Sequence, residues 1–534
     1  MNSQYKPSTQ QQAVIDFART GRGHLNLVAR AGTGKSSTIL LTVQTLRDAG
    51  QLRRGNGAFI GAYNRPIADE LQSKLNCMGI TFDICEAGTW HSIGKRAWGK
   101  LAPRACGKEC VNANKVSKLF GEMYPARFNS NIGITQPAYE AAFKPCVLRA
   151  VSLAKQRAFG VLCAVDDVTA WYDLFDHFGL EDDLLESQPV AEALRIARAV
   201  YKRSLELCFE TIDFDDMILA PLYFRARFWT FAWVFIDEAQ DTNPARRALA
   251  LAILRPGGRL VAVGDDHQAI YGFTGADADS MPQIKAALGS HELPLTLTYR
   301  CSQAVVREAQ QYVPDIQAHE SNVEGSVTQV TLDEFNPAIV TAADAILCRK
   351  MAPLVDLAYA MIRAGLPCKI EGRELGQGLL SLAARFKLVN LRPLMTKLEE
   401  YKDKETQRLL AKEKEDRAAD LADKVDTLIV IADGLLGRGK DKVTDLIEFV
   451  ESLFNDTPAG TQPAVPTLCT IHRSKGREWD RVYLLGRNAY MPSKWARKEW
   501  QMQQEDNLAY VAITRAKVDL IDIVVPIERK ERNA

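Results

Sequence analysis

Short apolar runs that end in Gly, Asp or Thr recur along the chain: HLNLVA at 24–29, GAFIGAYN at 57–64, FAWVFIDEAQD at 231–241, GRLVAVGDDHQ at 258–268, TLCTIHRSKG at 467–476, DRVYLLG at 480–486 and VDLIDIVVP at 518–526. Runs of this length without polar alternation predict strands buried on both faces, as in parallel sheets. Helical periodicity lies between them, so the expected fold class is α/β, doubly wound. In such sheets ligands meet the carboxyl ends of the strands, which is where the polar cluster closing each run stands.

Two stretches break the alternation. Residues 96–205 read as helical, with apolar positions at three-to-four spacing in AEALRIARAVYKRSLELCF at 191–209, and predict an inserted helical domain. Residues 376–460 predict a second, short and highly charged helical insertion. Its segment KLEEYKDKETQRLLAKEKEDRAADLADKV carries both signs over about thirty residues with few apolar positions, which describes an exposed helical hairpin or a partner-facing helix. The charged helix at 396–426 is the candidate surface for a protein partner. Gly and Pro in FNDTPAGTQPAVPT mark a linker back into a sheet. The expected organisation is a first motor domain at 1–95 and 206–292, the insertion at 96–205, a second motor domain at 293–375 and 461–534, and the insertion at 376–460.

A chain of 534 residues with 47% hydrophobic content has material for two to four domains. A formal net charge of +1 excludes an overall polycation but leaves room for a local basic groove. The eleven cysteines are odd in number and scattered, which argues against a disulfide framework and fits a reducing, cytoplasmic location. Cys106 and Cys110 lack two further ligands nearby, and Cys77, Cys85 and His91 have no metal-site spacing, so no structural metal is expected there. The amino terminus lacks a basic-then-apolar signal pattern, and no stretch is apolar over about eighteen residues, so no membrane span is expected.

The segment ARAGTGKSS at 29–37 is a glycine-rich turn between a predicted strand and a predicted helix, though Ala29 stands where the usual phosphate-loop pattern has glycine. Such a turn aims backbone N–H groups and a helix dipole at phosphate oxygens. Ala31, Gly32, Thr33, Gly34, Lys35, Ser36 and Ser37 would surround the phosphates, with Lys35 reaching the β- and γ-phosphates and Ser36 on magnesium. Asp237 and Glu238 end a strand, where an acidic pair calls for a cation. Asp237 is the expected second magnesium ligand and Glu238 the expected base for the attacking water.

With these motifs in place the chain resembles superfamily 1 DNA helicases of the UvrD, Rep and PcrA type, including the related F-box DNA helicases. The likeness runs from residue 10 to 517, in the family's motif order, and the family's own phosphate loop also begins with alanine. It implies two RecA-like domains, ATP and Mg2+ as cofactors, and Gln10 in STQQQAV as the adenine reader. Gln268 in VGDDHQAIYGFTGA is then the γ-phosphate sensor. Tyr299 in LTLTYRCS stacks on adenine, Arg300 beside it meets the γ-phosphate, Glu478 in TIHRSKGREWD lies near the ribose, and Arg515 in EDNLAYVAITRAK is the second arginine finger. A phosphoryl-transfer transition state concentrates charge where such arginines act, and each can be worth about 10³ to 10⁵ in rate.

A strand is gripped without sequence preference by phosphate contacts and by stacking aromatics. AYNRPIADEL and GTWHSIG resemble the family's strand-contacting segments, giving Tyr63, Asn64, Arg65, Thr89, Trp90 and His91 as candidates. Phe273, Arg349 and His472 complete the set. The chain departs from the family at Phe273 for tryptophan, Thr274 and Ser37 for arginine, and Met351 for asparagine. No nuclease motif follows Arg515. The expected activity is ATP-dependent translocation on single-stranded DNA and 3'-to-5' unwinding at single/double-strand junctions, in repair, recombination or replication. The alternative is a nucleotide-gated DNA-binding subunit of a recombination-control or phage-defence complex.

Overall fold

Each apolar run is a strand. The computed structural model describes residues 7–105, 107–124, 142–184, 189–270, 280–364, 366, 368–411, 415–454, 465–494, 496 and 499–526. They group into two units: the first runs to Ala29 and resumes from Gly34 to Leu295, and the second takes Arg30–Thr33 and the chain from Thr296 onward.

The first unit holds β1 (Leu25–Ala29), β2 (Ala58–Ala62), β3 (Cys85–Thr89), β4 (Phe231–Ile236), β5 (Leu254–Gly264) and β6 (His291–Leu295) in one sheet of order β3-β2-β4-β5-β1-β6. Every pairing in it is parallel. Both faces are covered, which explains the unbroken apolar runs. Ala58, Ile60 and Ala62 pack with Ile39 and Val43 of helix Lys35–Asp48 and with Leu71 and Leu75 of helix Arg65–Cys77. Phe59, Val234, Ile236, Leu260 and Ala262 face the other way, into the core built by the inserted helices.

Those helices include Lys115–Met123, Lys144–Gln156, Val168–His177 and Val190–Glu206, whose apolar stripes meet around Val147, Trp171, Ala197 and Tyr201. Cys106 and residues 125–141 and 185–188 of this insertion lie outside the described residues. The insertion is locked to segment 213–216 by buried charges: Lys115 Nζ lies 2.6 Å from Asp216, and Lys155 Nζ lies 2.5 Å from Asp213 and 2.7 Å from Asp216. Burial works against the charge on Lys155, but Asp216 and Asp213 outweigh it and hold the ammonium above its ordinary range.

The second unit has its own parallel sheet, ordered β11-β12-β10-β13-β14-β9. Its strands are β9 (Ser326–Thr331), β10 (Ala345–Cys348), β11 (Lys369–Ile370), β12 (Thr467–Thr470), β13 (Trp479–Leu485) and β14 (Ala516–Val524), while β7 (Leu297–Thr298) and β8 (Gln317–Ala318) pair separately. The architecture is therefore α/β with two RecA-like parallel sheets and helical insertions.

The charged stretch at 396–426 is not one solvated helix. It spans two, Leu391–Ala411 and Glu415–Leu436, with 412–414 outside the described residues. Leu391, Leu394, Leu398, Val425 and Leu428 form a buried stripe against helix Ala352–Arg363, and the Tyr359 hydroxyl donates to the carbonyl of Ile431 at 3.1 Å. The Asp423 carboxylate caps that helix, accepting from Met351 N at 2.7 Å and Ala352 N at 3.2 Å. The few apolar positions sit at core spacing, so the sparse pattern is a packed seam with charged flanks. Part of the linker that follows, 455–464, lies outside the described residues.

Among the described residues no helix is long and apolar enough to cross a membrane, no group of three or more His, Cys, Asp and Glu could hold a metal, and the cysteines are free thiols.

Removing one member of a buried ion network leaves an uncompensated charge, at a cost of about 3–5 kcal/mol. Lys155→Ala should lower the urea midpoint accordingly, whereas Lys402→Ala, whose 2.7 Å pair with Asp426 is half-exposed, should shift it by less than about 1 kcal/mol.

Candidate functional site

The loop after β1 explains its own sequence. Ala29 is the last residue of the strand, fully buried and in register with Leu295, so a side chain is useful there and glycine is not required. The left-handed positions are Gly32, at φ 71°, and Gly34, at φ 80°, where a Cβ is disfavoured. Gly34 is the N-cap of helix Lys35–Asp48, so the first turn of that helix opens at the loop.

Lys35 Nζ lies 3.1 Å from Glu238 Oε2, and Ser36 Oγ lies 3.5 Å from Asp237 Oδ2. The loop and the end of β4 thus meet through one ion pair and one hydroxyl–carboxylate contact. Burial, then the neighbouring Glu238 charge, push the Asp237 carboxyl up to about 7, with Lys35 opposing. Burial disfavours the Lys35 charge as well, but Glu238, Asp265 and Asp237 outweigh it and hold the ammonium raised. Two crowded carboxylates beside one lysine are a setting a hard divalent cation would relieve, and Ser36 and Asp237 supply its oxygen donors. Bound there, magnesium would screen phosphate charge; Lys35 would hold the terminal phosphates, and Glu238 would orient water.

Gln268 is buried and donates from Nε2 to Asp265 Oδ2 at 2.6 Å. Two residues absent from the sequence-based set join it to the acidic pair. Gln240 donates to Glu238 Oε2 at 2.6 Å, and its Oε1 accepts from Asp265 N at 3.1 Å. Only the amide's place inside DEAQD hinted at this. Glu238 is held at φ 51°, an uncommon conformation for a residue with a side chain.

Gln10 is half-buried on helix Thr9–Thr20, while its neighbour Gln11 completes a capping box with Ser8 and reaches Thr38 Oγ1 at 3.2 Å. Thr33 Oγ1 donates to the carbonyl of Arg30 at 2.8 Å, and Ser37 is exposed. Within the second unit, Ala31 N donates to the Tyr510 hydroxyl at 2.9 Å and Tyr299 N donates to the Gly32 carbonyl at 2.9 Å. The Tyr299 ring is 38% exposed and lies 4.8 Å from His319. Arg300 pairs with Glu478 at 2.5 Å, which occupies the carboxylate expected near a ribose. Arg515, expected as a finger, is buried, and its guanidinium donates to the carbonyls of Val511 and Arg477 and to Thr514 Oγ1.

The strand-contact set divides. Tyr63 is exposed, Arg65 is exposed with a loose 3.5 Å pair to Asp69, and Asn64 and Thr89 cap the helices that follow them. Trp90 is a correction: it is 2% exposed, packs edge-on against Phe59, and occupies the space that a Cβ on Gly61 would need. It is a core residue, because the first position of its helix turns inward over the sheet. Phe273 lies outside the described residues. In the second unit Arg349 donates from Nη2 and Nε to Glu505 Oε1 at 2.8 and 3.1 Å, and His472 sits nearby with burial and the Arg349 and Lys475 charges pushing its imidazole down to about 3, hence neutral.

A cavity of about 190 Å³ opens in the first unit between Tyr63, His91, Asp215, Asp241 and Arg246. Burial, then Arg246, push the His91 imidazole down to about 4. The Arg246 guanidinium lies 5.5 Å from the Tyr63 ring, and its Nε is buried without a hydrogen-bond partner. Arg246 follows NP at a helix start and carried no motif signal.

Comparison with known families supplies the identity. Residues 8–288, more than half of the chain, match the UvrD/REP helicase N-terminal domain, and residues 380–525 match the UvrD-like helicase C-terminal domain. The chain belongs to the UvrD/REP helicase family. It is 28% identical over 324 residues to F-box DNA helicase protein 1 of Schizosaccharomyces pombe, covering 57% of this chain and 35% of that protein. It is 23% identical over 295 residues to ATP-dependent DNA helicase PcrA of Staphylococcus epidermidis, covering 53% and 36%. It is 22% identical over 583 aligned positions to ATP-dependent DNA helicase UvrD2 of Mycobacterium tuberculosis, covering 93% and 76%. The match thus spans about a third of the first two relatives.

One carboxylate in this UvrD-family cavity titrates within reach of experiment. Burial, then the Asp213 charge, push Asp215 up to about 6, although Ser152 donates to it at 2.5 Å. A folded-state pKa raised above the unfolded one favours folding at low pH, and that contribution is lost as pH rises from about 4 through about 6. Asp215→Asn should therefore gain stability over wild type at pH 7.5 relative to pH 4.5, by about 1–3 kcal/mol. Equal melting differences at both pH values would contradict this.

Proposed function

We propose that this chain is a DNA-dependent ATPase that moves along single-stranded DNA in the 3'-to-5' direction and separates strands at duplex junctions, serving repair, recombination or replication. The observation that carries the reading is the Lys35–Glu238 ion pair beside the Ser36–Asp237 contact, at the mouth of a glycine-rich loop. It supplies in one place a phosphate cation, two oxygen donors for magnesium and a carboxylate base. Family membership supports ATP as the nucleotide and DNA as the track. The 3'-to-5' direction rests on the resemblance alone.

Arg300 and Arg515 are the proposed γ-phosphate arginines, Tyr299 and Gln10 the adenine contacts, and Glu478 a ribose contact once released from Arg300. Tyr63, Asn64, Arg65, Thr89, His91, Phe273, Arg349 and His472 are the proposed strand contacts. Arg246 joins them: its desolvated guanidinium, which faces the Tyr63 ring and shares the cavity with Asp241 and Asp215, could take a strand phosphate in exchange for those carboxylates or a stacked base. Trp90 leaves the list.

Lys35→Ala should abolish ATP hydrolysis yet keep oligothymidine affinity, because it removes the cation at the terminal phosphates and no strand contact. Hydrolysis by wild type should rise strongly with oligothymidine. Turnover in Lys35→Ala equal to wild type, or wild-type rates indifferent to DNA, would overturn the reading.

Arg246→Gln should weaken oligothymidine binding and reduce the slope of log K against log salt by about 0.7–1, the signature of one lost phosphate contact on a single strand. Fluorescence anisotropy across a salt series checks it; an unchanged slope removes Arg246 from the strand path.

A further inference from the structure

Gln240 connects the two halves of the first-unit site. It is 1% exposed, in the short turn Ala239–Asp241 directly after β4, and no surface or core role accounts for its polar head. Its Nε2 donates to Glu238 Oε2 at 2.6 Å, the same oxygen that meets Lys35 Nζ at 3.1 Å. Its Oε1 accepts from the backbone N of Asp265 at 3.1 Å, and Asp265 Oδ2 accepts from Gln268 Nε2 at 2.6 Å. One unbroken chain of polar contacts therefore runs Lys35, Glu238, Gln240, Asp265, Gln268. The end of β5 leaves room for it and for Met281: a Cβ on Gly264 would stand 2.5 Å from Gln240 Oε1, 2.8 Å from Met281 Sδ and 3.1 Å from Gln240 N.

The geometry points to Gln240 as a positioning residue that couples Glu238 to the β5 end carrying Gln268, an inference that rests on the ATP-hydrolysing reading above. A primary amide is suited to this, since it donates to a carboxylate with one end and accepts a backbone N–H with the other, in a fixed planar geometry. Glu238 sits at φ 51°, a conformation that costs energy and persists only where its surroundings hold it. Lys35 cannot be the whole restraint, because phosphates compete for its ammonium. Gln240 keeps the carboxylate aimed when they do. In the other direction, a γ-phosphate that takes the Gln268 amide draws it off Asp265. The Asp265 backbone is one hydrogen bond from Gln240 and two from the base. Sensing of the phosphate and aiming of the base are thus joined through a single side chain.

The experiment compares wild type with Gln240→Leu, Gln240→Met and Gln240→Ala. For each, kcat at saturating oligothymidine, the ratio of stimulated to basal rate, the Kd for a non-hydrolysable ATP analogue with Mg2+, and Tm are measured, with active protein counted by analogue titration. The expected result is a kcat loss of about 10- to 100-fold per folded molecule in both Gln240→Leu and Gln240→Met, at nearly unchanged analogue Kd, with the stimulation ratio falling toward one. Gln240→Ala should show the same kcat loss, because it removes both the donor to Glu238 and the acceptor for Asp265 N. A merely structural Gln240 would lower Tm and leave kcat per folded molecule and the ratio alone, and that outcome overturns the inference while the ATPase reading stands. A wild-type chain without ATPase activity overturns both.

Discussion

The ion pair between Lys35 and Glu238 is the contact on which the first unit's chemistry depends, because it ties the loop after β1 to the end of β4, two strands away in the sheet. Burial disfavours the Lys35 charge, but Glu238, Asp265 and Asp237 outweigh it and hold the ammonium raised; burial, then the Glu238 charge, drive the Asp237 carboxyl up to about 7. The parallel sheet makes this geometry possible. Parallel strands deliver all their carboxyl ends to one edge, and residues as distant in sequence as 35, 238 and 268 converge there while the apolar runs behind them form the core.

Much of this was legible in the sequence, for a physical reason: a strand buried on both faces must be apolar throughout, so its end is marked by the first polar residues. Asp237, Glu238 and Gln268, all proposed site residues, stand out this way beside the loop glycines. The same rule misassigned Trp90, because a helix that starts at a strand end presents some of its first residues to solvent and turns others over the sheet, and sequence position does not distinguish them. Trp90 fills the gap above Gly61, and that pairing between positions 29 residues apart is visible only in three dimensions.

Gln240 and Arg246 escaped for a different reason. Each acts through a partner, Asp265 and Tyr63 respectively, that lies in another segment, so neither residue type nor spacing carries the signal. The charged hairpin shows the complementary limit. Over some thirty residues, few leucines and valines looked like too little to pack, yet Leu398 and Val425 near its two ends are fully buried and join a seam that Leu394 and Leu428 continue on either side. Composition averages over faces, whereas burial selects one. The charge count was read as solvation, but Asp423 spends its carboxylate on two backbone N–H groups of a neighbouring helix.

The near-neutral net charge of the chain takes on meaning at this level. Three cations assigned to phosphate under the proposed function are held by carboxylates: Lys35 by Glu238, Arg300 by Glu478 and Arg349 by Glu505. An arginine or lysine kept in a partly buried site without a partner costs several kcal/mol, so a carboxylate that stands in for the anionic ligand stabilises the site until the ligand arrives. Binding then becomes an exchange of one anion for another, which lowers affinity per contact but leaves a displaced carboxylate with a new position to take. Under the proposed function that displacement matters most at Glu238: a carboxylate released from Lys35 by phosphate, yet still held by Gln240, would be free to accept a proton from water. Arg246 follows the same rule more loosely: its Nε makes no hydrogen bond, yet Asp241 and Asp215 share its cavity and favour its charge, so a strand phosphate arriving there also competes with carboxylates.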